Sequence, residues 1–396
     1  MSGERRLSLP LIGVFLAILL AGLHCLQWGR WSALFGGIDF NDQPFEDFIG
    51  IYLPMGARVF DGSGPVPGFF YSPAFAMAMS PLAGMEQEAA AWVWLALQLV
   101  ATMAVITLPV LIVRAGAKPR PPGYTGDEAV YLVVAIFSFP WLHSLHWGQV
   151  SIFLAALVLA GTLAHLRRRS ILAGACFALA ITIKFYPLLF LFPFVIKRER
   201  RVWVTAVAFS LITLIVVPMT VLGASVTGDF YRALIDGLRA VSQGSGLWHD
   251  APNMQYMPAV VERWIGSHAS AANWGRALPW IGIGAFTGVL ACIWKRRAGG
   301  VTARDIALIA VSTPLVLSPS WPHYFVLVPF ACLIAWQQRS IPVRALSISA
   351  GVLASFPVFL SFTSPEAYGR SGVLLVAKLL LLLALLSSLC ARPRSD

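Results

Sequence analysis

The chain has 396 residues, of which 12% are charged and 58% hydrophobic, with a mean hydropathy of +0.75. A soluble chain carries about 25% charged residues, and one core of this size cannot hide so much apolar surface, so lipid is the solvent for most of it. The net charge of +11 therefore reads first as membrane topology and not as affinity for nucleic acid, because Lys and Arg collect in cytoplasmic loops.

Arg5 and Arg6 precede a mostly apolar run from Leu9 to Trp28. No A-x-A site follows it and no lipoprotein box precedes Cys25, so the run is expected to remain as a first helix with its N-terminus inside. Further spans are expected at 89–113, 128–145, 149–166, 170–184, 185–197, 202–222, 277–295, 303–318, 323–337, 344–362 and 372–391. The pair 170–184 and 185–197 is too short for two crossings of about 30 Å. Its flanks are basic at both ends, Arg167–Arg169 before it and Lys197, Arg198, Arg200 and Arg201 after it. Two short helices that enter from one side and return to it satisfy that pattern.

The expected fold is thus an all-α polytopic membrane protein, a single integral domain over residues 1–396 with about 12 spans, one pair short or broken. Twelve spans put 20 of the 29 cations inside and seven outside, with twelve of the 18 acids outside, as the positive-inside rule requires. Both termini are expected in the cytoplasm. Two external segments, about 29–88 and 223–276, are far longer than a helix connection needs and are expected to carry interfacial helices. The cytoplasmic loops are short and hold no phosphate-binding glycine motif, so a cytosolic nucleotide donor has no evident seat. Eleven of the 14 Trp lie on external segments or outer helix ends. An aromatic belt explains most of them, and a belt alone would occupy both faces more evenly. The five cysteines have unrelated spacings in apolar segments and read as buried packing residues. No metal-ligand spacing is present and no cofactor is expected.

The first external segment carries Asp39, Asp42, Glu46, Asp47 and Asp61 within 23 positions. Such a run is either a solvated acidic loop or the seat of a general base. Asp47 stands out for the second role because Phe48 and Tyr52 follow it on one helical face, and a carboxylate held against apolar surface has its pKa raised into a useful range. Lys184 lies where the two short helices meet. It is either a snorkelling helix-end lysine or an intramembrane cation with a function.

Asp47-Phe48 with Tyr52 and Gly62, then F-Y-S-P at 70–73 and S-P-L at 80–82, resembles the first external loop of polyprenyl-phosphate-sugar-dependent glycosyltransferases of the GT-C superfamily. The closest resemblance is to glycosyltransferase family 87, the polyprenyl-phosphomannose-dependent mannosyltransferases. H-W-G-Q-V at 146–150, I-K-F-Y-P at 183–187, P-N-M-Q-Y-M-P-A-V-V-E-R at 252–263 and L-S-P-S-W-P-H-Y-F at 317–325 follow in the family's order. The P-N-M-Q-Y run departs from the family's usual N-Q-S type. The resemblance implies an inverting transfer of a hexose, mannose first, from a polyprenyl-phosphate donor to a lipid-linked or envelope glycan on the external face of the plasma membrane. It implies Asp47 as the base that deprotonates the acceptor, with Lys184, His323, Arg263, Tyr52, Tyr71, Gln149 and Trp321 about the donor. His146 and Trp147 are expected to shape the pocket floor, and Arg232 is a further phosphate candidate. Lys378, among leucines in the last span, has no role on this reading. No obligate protein partner is visible. The competing readings are a lipid-linked glycan transporter or flippase, against which no internal repeat and no midplane acid is found, and an oligosaccharide ligase or polymerase.

Overall fold

A computed structural model describes residues 45–62, 64–116, 126–242, 254–265, 271–338, 340–355 and 371–390, together with Phe15, Ile18 and Leu19. Apart from those three residues the expected first span lies outside the described residues, as do the acids Asp39 and Asp42; the described residues form helices and turns without a strand. In chain order the helices are α1 (Leu53–Arg58), α2 (Pro73–Ala83), α3 (Gln87–Gly116), α4 (Gly126–Ile136), α5 (Phe139–His146), α6 (Ser151–Leu166), α7 (Ser170–Ile183), α8 (Phe192–Ile196), α9 (Arg200–Leu211), α10 (Val217–Val221), α11 (Ala224–Ser242), α12 (Met257–Ile265), α13 (Ala271–Lys295), α14 (Ala303–Val316), α15 (Val328–Trp336), α16 (Ile341–Ser355) and α17 (Val373–Cys390).

Three helices among the described residues are long and apolar enough to cross a membrane: Gln87–Ala115, Arg200–Val221 and Ala277–Lys295. Most other apolar segments form shorter helices, and two expected spans are broken. The 128–145 segment divides into α4 and α5 at Ser138, whose extended backbone starts a new helix with Pro140 in its first turn, where the missing N–H costs nothing. The 323–337 segment begins with a 3-10 turn, Pro322–Phe325, before α15. The expected short pair does form: α7 ends at Ile183, and a 3-10 turn, Tyr186–Leu191, leads into α8, with Pro187 and Pro193 at the two breaks. Within 223–276 lie two amphipathic helices, α11 and α12.

Proline inside a lipid-embedded helix frees a carbonyl four residues earlier, and that carbonyl needs a new donor. Pro109 in α3 frees Val105, whose carbonyl accepts the Tyr131 hydroxyl of α4 at 2.9 Å. Pro314 in α14 frees Ala310, whose carbonyl accepts the Lys378 ammonium of α17 at 3.0 Å. Beside Pro218, the π-helical turn Ile212–Val216 offers the Leu214 carbonyl to the Tyr231 hydroxyl, which ties α11 to the α9–α10 helix. Each kink thus docks a second helix by a specific hydrogen bond. The α7–α9 contact is closer still: a Cβ on Gly174 would stand 2.6 Å from Thr205 Cβ and 2.7 Å from the Val202 carbonyl, the small-residue packing that lets helices meet without a hydrophobic drive. Cys332 is buried, while Cys176 and Cys292 are only half-buried, so the expectation of uniformly buried thiols holds for one of these three.

Candidate active site

The site starts at the turn between α5 and α6. Gly148 there has φ +64, and a Cβ on it would stand 2.8 Å from Phe48 Cβ and 2.9 Å from Phe45 Cδ1, so this position requires glycine. From α3, the Trp94 indole donates to the Gly148 carbonyl at 2.8 Å and the Gln98 amide to the Gln149 carbonyl at 3.0 Å. The fixed turn then receives the first acidic segment: Phe45 N–H donates to the His146 carbonyl at 2.7 Å and Asp47 N–H to the Trp147 carbonyl at 3.2 Å. Phe48 stacks on Trp94 with ring centres 4.8 Å apart. Phe48 and Tyr52 are both fully buried on the π-helical turn Phe48–Tyr52, which is the shared face expected of them.

These contacts bring Asp47 to the wall of a cavity of about 140 Å³. Tyr71, His143, Trp147, Gln149, Lys184, Trp321, His323 and Tyr324 line it as well. A hydroxyl relay forms one side. Lys184 Nζ donates to Tyr71 Oη at 3.4 Å, the Tyr71 and Tyr52 hydroxyls are 2.7 Å apart, and Tyr52 donates to Gln149 Oε1 at 3.0 Å. The Lys184 ammonium also sits over the rings of Tyr71 and Tyr324, 4.6 and 4.4 Å from their centres, a cation–π seat that holds the charge where no carboxylate among the described residues touches it. Burial pushes the Asp47 carboxyl up to about 7, against the opposing pull of Lys184 and with a smaller push from Glu46. A base poised near neutrality is what proton abstraction from a hydroxyl needs.

The opposite wall is the turn that carries His323. Gln255 N–H donates to the Ser320 carbonyl at 2.7 Å, and the Trp141 indole donates to the Val326 carbonyl at 2.6 Å. Lys378 reaches the same turn: beyond Ala310 its ammonium lies 3.4 Å from the Tyr324 carbonyl and 3.8 Å from the centre of the Phe325 ring. The residue with no role on the sequence reading therefore clamps α14 to the turn that presents His323 and Tyr324. His323 is buried, and neither ring nitrogen has a hydrogen-bond partner among the described residues; the same holds for His143 Nδ1. Buried imidazole nitrogens without partners among the described residues, 5.7 Å ring to ring and beside an ammonium, suit the pocket to an anionic or hydroxylated ligand.

Of the residues named from the sequence, Asp47, Tyr71, Gln149, Lys184, Trp321 and His323 meet at this cavity, and Tyr52 stands directly behind Tyr71 and Gln149. Arg263 is elsewhere: its guanidinium donates to the Met254 carbonyl and does not line the cavity. Arg232 pairs with Asp229 at 2.7 Å on an exposed face of α11. In H-S-L-H-W, the imidazole that reaches the cavity is His143, while His146 contributes its backbone carbonyl. The three-residue spacing puts both on one helical face, so only the packing of α5 distinguishes them. Tyr324 was equally hidden beside the more conspicuous His323. The described residues include no group of three or more His, Cys, Asp or Glu that could hold a metal ion.

Comparison with known proteins gives the family. The chain is 26% identical to the polyprenol-phosphate-mannose-dependent alpha-(1-2)-phosphatidylinositol mannoside mannosyltransferase of Mycobacterium tuberculosis (strain ATCC 25618 / H37Rv), over 363 residues that cover 84% of this chain and 81% of the relative. No solved structure matches. The model of glycosyltransferase family 87 matches residues 69–319, a segment that holds Tyr71, His143, Gln149 and Lys184, whereas Asp47 precedes it and His323 follows it. With well over half of its length matched, this chain belongs to glycosyltransferase family 87.

Proposed function

We propose that the protein is a mannosyltransferase that takes its sugar from a polyprenyl-phosphate donor and passes it, with inversion, to a lipid-linked glycan at the external face of the plasma membrane. The observation that carries this reading is the convergence of Asp47, Lys184 and His323, from three distant parts of the chain, on one cavity. On this reading the acceptor hydroxyl gives its proton to the Asp47 carboxylate as its oxygen bonds to the anomeric carbon. The bond from that carbon to the phosphate oxygen breaks, and the electron pair leaves with the polyprenyl phosphate. Charge grows on the departing phosphate, where Lys184 and the imidazoles of His323 and His143 meet it; preorganised donors of this kind usually supply the largest share of such catalysis.

Two further features support a lipid donor. Ile181 and Phe185 bracket Lys184 in sequence and face an apolar groove of about 610 Å³ together with Leu188, Leu211, Leu214 and Ile215, a surface suited to an isoprenoid chain. The curated relative is named for a polyprenol-phosphate-mannose donor and a phosphatidylinositol mannoside acceptor. The test is transfer of labelled mannose from polyprenyl-phosphate mannose by the purified protein, with GDP-mannose in a lipid-free assay as the competing donor. Turnover with GDP-mannose alone would refute the donor assignment. For the facing of the site, Asp236→Cys and Gly299→Cys in a cysteine-free background should label from outside and inside respectively, and the reverse pattern would invert the topology.

A further inference from the structure

The helix that ends at Lys184 begins at a second cavity. α7 has 14 residues, so its two ends stand about 20 Å apart at 1.5 Å per residue. At the Ser170 end, the turn from α6 and the first turn of α9 enclose a space of about 580 Å³ walled by Arg168, Arg169 and Arg201. The three side chains are exposed, and no ion pair or side-chain hydrogen bond engages their guanidiniums among the described residues. Two other cations at this end are paired with acids. Lys197 pairs with Asp305 at 2.7 Å, and Arg114 grips Glu128 through Nε at 3.0 Å and Nη2 at 2.9 Å. Three unpaired guanidiniums around one hollow repel each other unless an anion joins them.

Backbone donors point the same way. Neither α7 nor α9 has a side-chain cap at its N-terminus, where Arg169 and Glu199 hold the capping positions; in α9 the Arg200 and Val202 N–H groups already donate to the Arg198 and Glu199 carbonyls, so the first-turn N–H groups open to an acceptor are chiefly those of α7. Ser170 adds a hydroxyl to the wall, while the Thr205 hydroxyl beside it donates to the Arg201 carbonyl at 2.6 Å. The outer rim is apolar: Ile171, Leu172 and Val204 are 68%, 49% and 48% exposed. A free inorganic anion has no use for that rim, whereas a phospholipid places its phosphate among the arginines and its chains along the aliphatic side.

We infer that this cavity binds the headgroup phosphate of an anionic phospholipid, held by Arg168, Arg169 and Arg201, with the acyl chains against Ile171, Leu172 and Val204. Basic pockets between helices recognise such headgroups elsewhere by the same electrostatics. The site is separate from the glycosyl-transfer cavity and stands or falls independently of the proposed donor.

The test is native mass spectrometry of the full-length protein in neutral detergent, titrated with phosphatidylglycerol and, separately, with phosphatidylcholine. Phosphatidylglycerol should be retained preferentially, and R168Q/R169Q/R201Q should weaken its retention by about tenfold or more while leaving phosphatidylcholine unchanged. R296Q/R297Q, which removes two charges from the same end outside this cavity, should retain phosphatidylglycerol as the wild type does. Equal loss in that control, or no loss in the triple variant, would overturn the site as a specific one. Displacement of the lipid by millimolar inorganic phosphate would overturn the lipid assignment in favour of a free-anion site. If the triple variant fails to fold, R201Q alone should weaken retention several-fold, and unchanged retention there sinks the proposal.

Discussion

The backbone N–H of Asp47 donates to the carbonyl of Trp147 at 3.2 Å, so the acidic segment and the turn before α6 share one rigid frame. The carboxylate is held to the cavity by main chain, with no side-chain hydrogen bond of its own among the described residues, which leaves its oxygens available to a substrate hydroxyl. Asp47→Asn therefore removes a proton acceptor without dismantling the frame. Turnover should fall by ~10²–10⁴-fold, with donor affinity nearly unchanged. A stable Asn variant that turns over within a few-fold of wild type would end the general-base assignment.

The Asp47 carboxyl is pushed up to about 7 by burial, and a base must be deprotonated to work. The value of kcat/KM should rise about tenfold per pH unit below 7 and level off above it. Stability runs the other way. A folded pKa above the unfolded 3.8 means that the fold favours the neutral acid, so its contribution is complete below about 3.8 and is lost as pH rises through about 7. Relative to wild type, Asp47→Asn should thus gain melting temperature from pH 5 to pH 8. A flat rate profile between pH 5 and pH 8 would count against the assignment.

Lys184→Met keeps the length of the side chain and removes its charge. If Lys184 meets the departing phosphate, kcat/KM should drop ~10²–10³-fold. Lys184 is also the charge that opposes the upward push on Asp47, so the midpoint of any residual rate profile should move above 7. Loss of activity with an unshifted midpoint would mean that the two groups do not share one cavity in solution.

Gly148→Ala places a methyl group 2.8 Å from Phe48 Cβ at a backbone of φ +64. The clash and the left-handed backbone each cost about 1–3 kcal/mol. Thermal unfolding in detergent should show a lower Tm, and activity should fall because Asp47 sits on the displaced segment. An unchanged Tm would show that this turn gives way easily.

Lys378→Met leaves the Ala310 carbonyl, freed by Pro314, without its donor, a loss of about 1–3 kcal/mol. It also unclamps the Tyr324 carbonyl. As a positioning effect on His323 and Tyr324, this should lower kcat more than it raises KM for the donor. A fall in Tm with kinetic constants unchanged would leave Lys378 a purely structural role.

Composition and spacing alone determined that lipid is the solvent and where most apolar helices lie; they singled out Asp47 and Lys184 as candidates for the chemistry, and the family resemblance added His323. These are signals carried by single positions and short runs: apolar length, the sign of flanking charge, and a costly ion in an apolar segment. Segment length and the basic flanks, Arg167–Arg169 before and Lys197 to Arg201 after, also placed the short pair that became α7 and α8. Other features depended on which helix face meets which neighbour, and only the tertiary structure decided them. His143 and His146 are indistinguishable by helical spacing until α5 packs. Arg263 looks as able to hold phosphate as Lys184 until the Met254 carbonyl takes it. Lys378 is an unexplained charge among leucines until Pro314, on another helix, leaves a carbonyl that only a long donor from α17 reaches. A hydrogen bond between distant segments satisfies two local deficits at once, and neither deficit names its partner in the linear chain.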